Sequence, residues 1–179
     1  MTARHPAALI RLTRLTLTAA CAAAALITLT PAVAHAEELR WRQAHAFDRY
    51  EGAGYIRRGV AMFRLGGRPE PATLEVRGLM TGPQGDNWFG MRIDLRYRFD
   101  DGATLLGQLE GRFQRSADGS ISGPQEGQGR FVGGTGRFEG AEGSFRLQGV
   151  GGLAGSTPGV LGDVFGALEG DLKLPTTAR

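Results

Sequence analysis

The chain has 179 residues, of which 21 are basic, 18 are acidic and one is cysteine. Three of the basic residues precede residue 37, so the remainder of the chain carries 18 charges of each sign. A balanced charge removes the electrostatic case for nucleic-acid binding. The single cysteine, Cys21, also lies in that first segment, which excludes thiol catalysis, iron–sulfur clusters and cysteine-ligated zinc for the rest.

The first 36 residues are typical of an export signal. A start with three arginines precedes an uncharged run rich in Leu and Ala over 15–30, and Ala34-His35-Ala36 supplies a small-x-small cleavage pattern. Two alternatives are less favoured. One is a permanent membrane anchor, which needs about 20 strongly apolar residues, and the other is lipidation at Cys21. We predict a signal peptide over 1–36, a mature domain over 37–179, and export to the periplasm or the medium without stable membrane insertion after cleavage.

Beyond residue 36 the hydrophobic pattern has a period of two, which is typical of β-strands with one buried face. Asp101-Gly102, between two alternating runs, is the strongest hairpin signal. The pattern contains no amphipathic helix of ten or more residues. Eight strands are predicted in chain order: 39–47, 55–65, 73–80, 91–99, 103–113, 128–132, 143–149 and 164–174.

Glycine distinguishes between the folds that such strands can build. All 29 glycines lie beyond residue 36, and many fall inside strand patterns, where they are costly unless the sheet bends sharply. An antiparallel sandwich and a closed barrel both fit the strand spacing, but sharp bending favours closure. We predict an all-β fold, a small antiparallel closed β-barrel of about eight strands. An outer-membrane barrel is less favoured, because the charged faces would then fill a narrow lumen.

The segment 127–145 carries the most distinctive motif, in which three glycines at 133, 134 and 136 permit positive φ and close backbone approach between flanking phenylalanines. It resembles the GGTG-x-F-x-x-A-x-G signature of the dirigent and allene oxide cyclase barrels. The matching residues are Gly133, Gly134, Thr135, Gly136, Phe138, Ala141 and Gly143. The resemblance covers about 91–150, and it departs from the dirigent pattern at Glu139, where those proteins usually carry Arg.

The resemblance implies an eight-stranded barrel with an apolar lumen, often assembled as a trimer. In that family the lumen guides cyclisation or coupling of hydrophobic small molecules without a cofactor. The glycines of the motif mainly build a fold, so the match indicates architecture more than activity.

Four polar side chains and one tyrosine of the core pattern are candidate site residues. Gln43 and His45 share the more apolar face of the first strand, so we consider His45 as an acid–base group and Gln43 as a hydrogen-bond donor to a ligand. The alternative is a histidine satisfied by a neighbour. Tyr97 either offers its hydroxyl to a ligand or belongs to the core. Tyr55 and Arg57 share a face of the second strand, and Arg57 is a candidate for binding a carboxylate, but the pattern leaves open which face is inside.

Two functions remain open from the sequence. His45 is the only histidine beyond residue 36, which excludes a histidine metal cluster, and no cofactor is predicted. The first hypothesis is an exported barrel that binds a hydrophobic small molecule in its lumen, with or without a cyclase or isomerase activity. The second is a non-catalytic binding or envelope-structural barrel that acts through oligomerisation, such as a trimer, or partner contact. A filled lumen favours the second hypothesis, and an open apolar cavity favours the first.

Overall fold

The computed structural model describes residues 36–115, 123–151 and 164–175. Eight antiparallel strands close into a barrel in which each strand pairs with its neighbours in sequence and β8 pairs with β1. The strands are β1 Ala36–Glu51, β2 Gly54–Leu65, β3 Arg68–Pro83, β4 Trp88–Phe99, β5 Thr104–Gln114, β6 Gly123–Thr135, β7 Glu142–Gly151 and β8 Val164–Lys173. The predicted fold and all eight strands are confirmed, although most strands are longer than the pattern indicated. The predicted signal peptide lies outside the described residues except for Ala36.

Period-two alternation places one face of every strand in the lumen. In β4, the side chains of Met91, Ile93, Leu95, Tyr97 and Phe99 are buried, while the arginines and the aspartate between them are exposed. Apolar burial of this kind is the main contribution to the stability of a domain without disulfides. The one helical element among the described residues is a short 3-10 helix at Gly136–Phe138. None of the described helical structure has the length and apolarity needed to cross a bilayer.

Glycines on the inner face make room for aromatic rings of the neighbouring strand. A Cβ atom added at Gly78 of β3 would lie 2.1 Å from the ring of Tyr55, and one added at Gly129 of β6 would lie 2.3 Å from the ring of Phe145. Such distances are far below van der Waals contact, so only glycine fits. Gly78 and Gly129 therefore make room for rings that the adjacent strand contributes.

The glycine motif forms the end of β6 and the 3-10 helix. Gly133 and Gly136 have φ values of 112° and 62°, and a Cβ at Gly134 would lie 2.0 Å from the carbonyl oxygen of Thr104. The predicted positive φ and close approach are both confirmed. The side-chain hydroxyls of Thr135 and Thr104 lie 2.8 Å apart, and Phe138 is fully buried. The motif thus closes one end of the barrel.

The two ends of the barrel differ in their connections. At the closed end, β2 and β3 are joined through Gly66-Gly67, both with positive φ, and the Asp101 carboxylate accepts a hydrogen bond of 3.0 Å from the Ala103 amide. The opposite end carries the β1–β2, β3–β4, β5–β6 and β7–β8 connections, and the last two include residues outside the described ranges. We call this opposite end the loop-rich end.

We predict that Gly129→Ala lowers the free energy of unfolding by about 1–3 kcal/mol, because the added methyl group overlaps the Phe145 ring and the Gln108 carbonyl. Gly107→Ala is the matched control, since its Cβ would lie 3.3 Å from the same ring without a close backbone atom. Its effect is expected to be clearly smaller in urea-unfolding curves. Equal losses in both variants would contradict the ring-over-glycine packing.

Candidate functional site

An aromatic cluster fills the lumen toward the closed end. The Trp41 and Phe63 rings stack with centroids 5.2 Å apart, and the Tyr97 ring meets the Phe63 ring edge-on at 4.8 Å. Phe131 and Phe145 pack 4.9 Å from each other and within 6 Å of Trp41. These are the offset and edge-to-face geometries that aromatic pairs prefer. This part of the lumen is packed core.

A chain of hydrogen bonds leads from this cluster toward the loop-rich end. Trp41 donates through Nε1 to the Tyr97 hydroxyl at 3.1 Å, and that hydroxyl donates to Oε1 of Gln43 at 2.8 Å. Burial raises the pKa of Tyr97 well above its usual range, so the phenol stays protonated and keeps donating. Tyr97 therefore lies in the core with both hydrogen bonds satisfied inside the protein. Gln43 stands at the boundary between the cluster and the remaining space.

That remaining space is a small cavity toward the loop-rich end. Its volume is about 30 Å³, which is room for one or two water molecules. Apolar side chains of several strands line it together with a polar group formed by Gln43, His45, Tyr55, Arg57 and Gln125. Four of the five predicted site residues thus line one cavity, and the fifth, Tyr97, contacts it only through Gln43.

His45 is the most unusual member of this cavity. Its side chain is 5% exposed, and its Nδ1 atom has no hydrogen-bond partner among the described residues. Burial, together with the nearby Arg57 charge, lowers its pKa from 6.5 to about 3. The imidazole is therefore neutral at physiological pH, with one donor and one acceptor nitrogen.

The structure also settles which face of β2 points inward. Arg57 is buried, and its guanidinium carbon lies 5.4 Å from the centroid of the Tyr55 ring. Burial raises the pKa of Tyr55, with the Arg57 charge acting in the opposite direction. Phe63, on the same face, belongs to the aromatic cluster, whereas Val60 and Met62 point outward and are exposed.

Sequence reasoning missed Gln125, which is buried in β6 and lines the cavity. Its amide nitrogen occupies the space that a side chain at Gly151 would need. The signal was present, because Gln125 alternates with Gly127, Gly129 and Phe131 on one face, but the predicted strand began at residue 128 and excluded it. Arg115, directly after β5, does not line the cavity; its guanidinium carbon lies 4.5 Å from the centroid of the Phe89 ring.

Neither protein-family models nor comparisons with curated proteins and with solved structures give a match to this chain.

We predict that Tyr97→Phe lowers the free energy of unfolding by about 1–3 kcal/mol, because the Trp41 and Gln43 groups it bonds are buried and lose their partner. Tyr50→Phe is the matched control, since Tyr50 is 63% exposed and its change is expected to stay within about 0.5 kcal/mol. Urea unfolding measures both. A neutral effect of Tyr97→Phe would show that the hydrogen-bond chain does not stabilise the core.

The lowered pKa of His45 predicts a pH dependence of stability. The unfolded state binds the proton with a pKa of 6.5 and the folded state with one of about 3, so stability is full above about pH 6.5 and falls as the pH drops toward 3. The slope from this residue approaches about 1.4 kcal/mol per pH unit within that window. In His45→Gln the free energy of unfolding should fall less steeply with decreasing pH, with a slope smaller by about 1.4 kcal/mol per pH unit, because the carboxylates contribute equally to both proteins. Identical slopes would contradict a buried neutral imidazole.

Proposed function

We propose that the chain is an exported barrel of the dirigent and allene oxide cyclase type that binds a compact, largely apolar molecule at the loop-rich end of its lumen. The observation that carries this proposal is the buried His45, whose Nδ1 has no partner among the described residues. A buried polar atom left without a hydrogen bond costs about 1–3 kcal/mol. A ligand or an ordered water in the cavity would offset that cost.

We assign His45 to binding in preference to proton transfer. Acid–base catalysis is most efficient when the pKa lies near the working pH, and a pKa of about 3 is far from neutrality. A neutral imidazole can instead accept a hydrogen bond from, or donate one to, a hydroxyl, amide or carbonyl group of a ligand. Any cyclisation or isomerisation in this lumen would then depend on how the walls orient the ligand, without a cofactor.

The size of the cavity limits the ligand. About 30 Å³ does not hold an organic molecule, so binding requires side chains at the mouth to move. Tyr50 also lines the cavity and is 63% exposed, with its ring 4.8 Å from that of Phe47. It is the large lining side chain with the most solvent exposure, and we assign it the role of moving aside when the ligand enters.

A second function is favoured by the aromatic cluster. Because rings fill the lumen toward the closed end, the barrel also suits a non-catalytic envelope-structural protein that acts through its outer wall, as a trimer or with a partner. In that case the His45 cavity holds water alone. The two functions differ in whether a small molecule remains bound to the purified protein.

Native mass spectrometry of the protein purified gently from its host tests the proposal. We expect a bound molecule on the wild type and at least about tenfold weaker retention in His45→Phe, which keeps a planar aromatic ring but removes the hydrogen-bonding nitrogens. Gln148→Ala, on the outer face of β7, is the control and should retain the molecule. An empty wild-type protein, also after incubation with host extract, would contradict ligand binding and support the structural function.

A further inference from the structure

The hydrogen bonds at the boundary between the aromatic cluster and the cavity have a fixed direction. The indole nitrogen of Trp41 is a donor only, so the Tyr97 hydroxyl has to accept from it. The phenol proton is then directed to Oε1 of Gln43, which lies 2.8 Å from the hydroxyl oxygen. Each donor in this sequence has one acceptor, and the direction runs from Trp41 through Tyr97 to Gln43.

This direction determines how the Gln43 amide is turned. If the amide were turned over, its NH₂ group would donate to the Tyr97 oxygen, and the buried phenol proton would lose its acceptor. Oε1 of Gln43 therefore stays on Tyr97. The Nε2 group of Gln43 makes no hydrogen bond with any residue that the structure describes. Since Gln43 lines the cavity, its N–H groups are the donors that a molecule in this space can meet.

The rest of the lining favours a neutral acceptor as the partner of these donors. Among the described residues that line the cavity, none is aspartate or glutamate, so the wall offers no counter-charge to a cationic ligand. Arg57 is buried in the same wall and already has an interaction partner. A carbonyl oxygen is satisfied by a donor alone, whereas a hydroxyl group brings a proton that needs an acceptor as well.

We propose that the molecule bound in the lumen carries a carbonyl group whose oxygen accepts a hydrogen bond from Nε2 of Gln43. This inference rests on the proposed function, since it names the chemical class of the ligand for the same cavity. His45 lies two residues further along β1, about 7 Å away, and bonds a second polar atom of that molecule. Tyr97 and Trp41 are positioning residues, because they act on the ligand only through the orientation of the Gln43 amide.

Two probes of similar size test the proposal on the full chain, purified from its host and dialysed. They are cyclohexanone and methylenecyclohexane, in which a CH₂ group replaces the carbonyl oxygen. We expect both to bind the wild type. Gln43→Met should lower the ratio of ketone affinity to hydrocarbon affinity at least about fivefold, because methionine has a similar volume but no N–H donor. Because the same two probes are compared in each protein, their difference in hydrophobicity cancels.

Gln148→Met, on the outer face of β7, is the matched control and should leave the affinity ratio unchanged. Circular dichroism checks that each variant keeps the barrel. The Gln43 variant retains a weak acceptor for the Tyr97 hydroxyl in the thioether sulfur, so it removes the donor with little change in the core.

The carbonyl stretching band of bound cyclohexanone tests the positioning role. In the wild type we expect one band, displaced to lower wavenumber than in hexane by the hydrogen bond. In Tyr97→Phe the Gln43 amide can turn over, so a second band near the hexane frequency should appear. Phe63→Leu removes a ring that packs edge-on against Tyr97 but leaves the Tyr97 hydroxyl in place, and it should keep the single displaced band.

The outcomes separate this inference from the proposed function. An unchanged affinity ratio in Gln43→Met would overturn the carbonyl assignment and leave binding in the lumen intact. So would a wild-type complex in which the carbonyl band stays at its hexane frequency, and this second measurement does not depend on any variant. If neither probe binds the wild type, the proposed function fails and this inference fails with it.

Discussion

The packing of aromatic rings over glycines of the adjacent strand is the constraint on which the rest of the barrel depends. Phe145 occupies the space above Gly129, and Tyr55 occupies that above Gly78. A side chain at either glycine would displace the ring, and the side chains of neighbouring strands would then no longer pack at the density of a protein core. Since the part of the chain beyond residue 36 contains no cysteine, this packing has to stabilise the closed sheet without help from a disulfide.

The same packing divides the lumen into two unequal regions. Toward the closed end, Trp41, Phe63 and Tyr97 form part of a satisfied aromatic core. Toward the loop-rich end, His45 and Gln125 share a small space in which one ring nitrogen has no described partner. Buried polar groups that a protein leaves unpaired are common at functional sites. The filled region gives the barrel its stability, and the polar region is where a bound molecule would be recognised.

Much of the fold could be predicted from the sequence, because period-two alternation and turn glycines act locally. The run from Met91 to Phe99 shows its buried face directly, and the positive φ values of Gly133 and Gly136 follow from residue type. The inward face of Tyr55 and Arg57 could not be predicted, since both faces of that strand are mixed. It is decided by long-range contacts, in which the ring of Tyr55 requires Gly78 on the next strand.

The residues of the candidate site could be predicted from the sequence, but the volume of the cavity that they line could not. Alternation places Gln43 and His45 on one inner face. Only the packed structure shows that the Tyr97 hydroxyl is hydrogen-bonded to Trp41 and Gln43, and that the cavity is small. How much of a lumen is filled depends on which rings meet across it. No local pattern contains that information.

The proposed function requires that His45 directs a hydrogen-bonding nitrogen toward a ligand in the lumen. A high-resolution crystal structure of the protein purified from its own host, without added ligands, tests it most directly. We expect density for a molecule larger than water in the cavity, with an atom within hydrogen-bond distance of Nδ1 of His45. Density for water alone would contradict ligand binding and support the structural function. A protein group from one of the connections at the loop-rich end, bonded to that nitrogen in a lumen without further space, would contradict it.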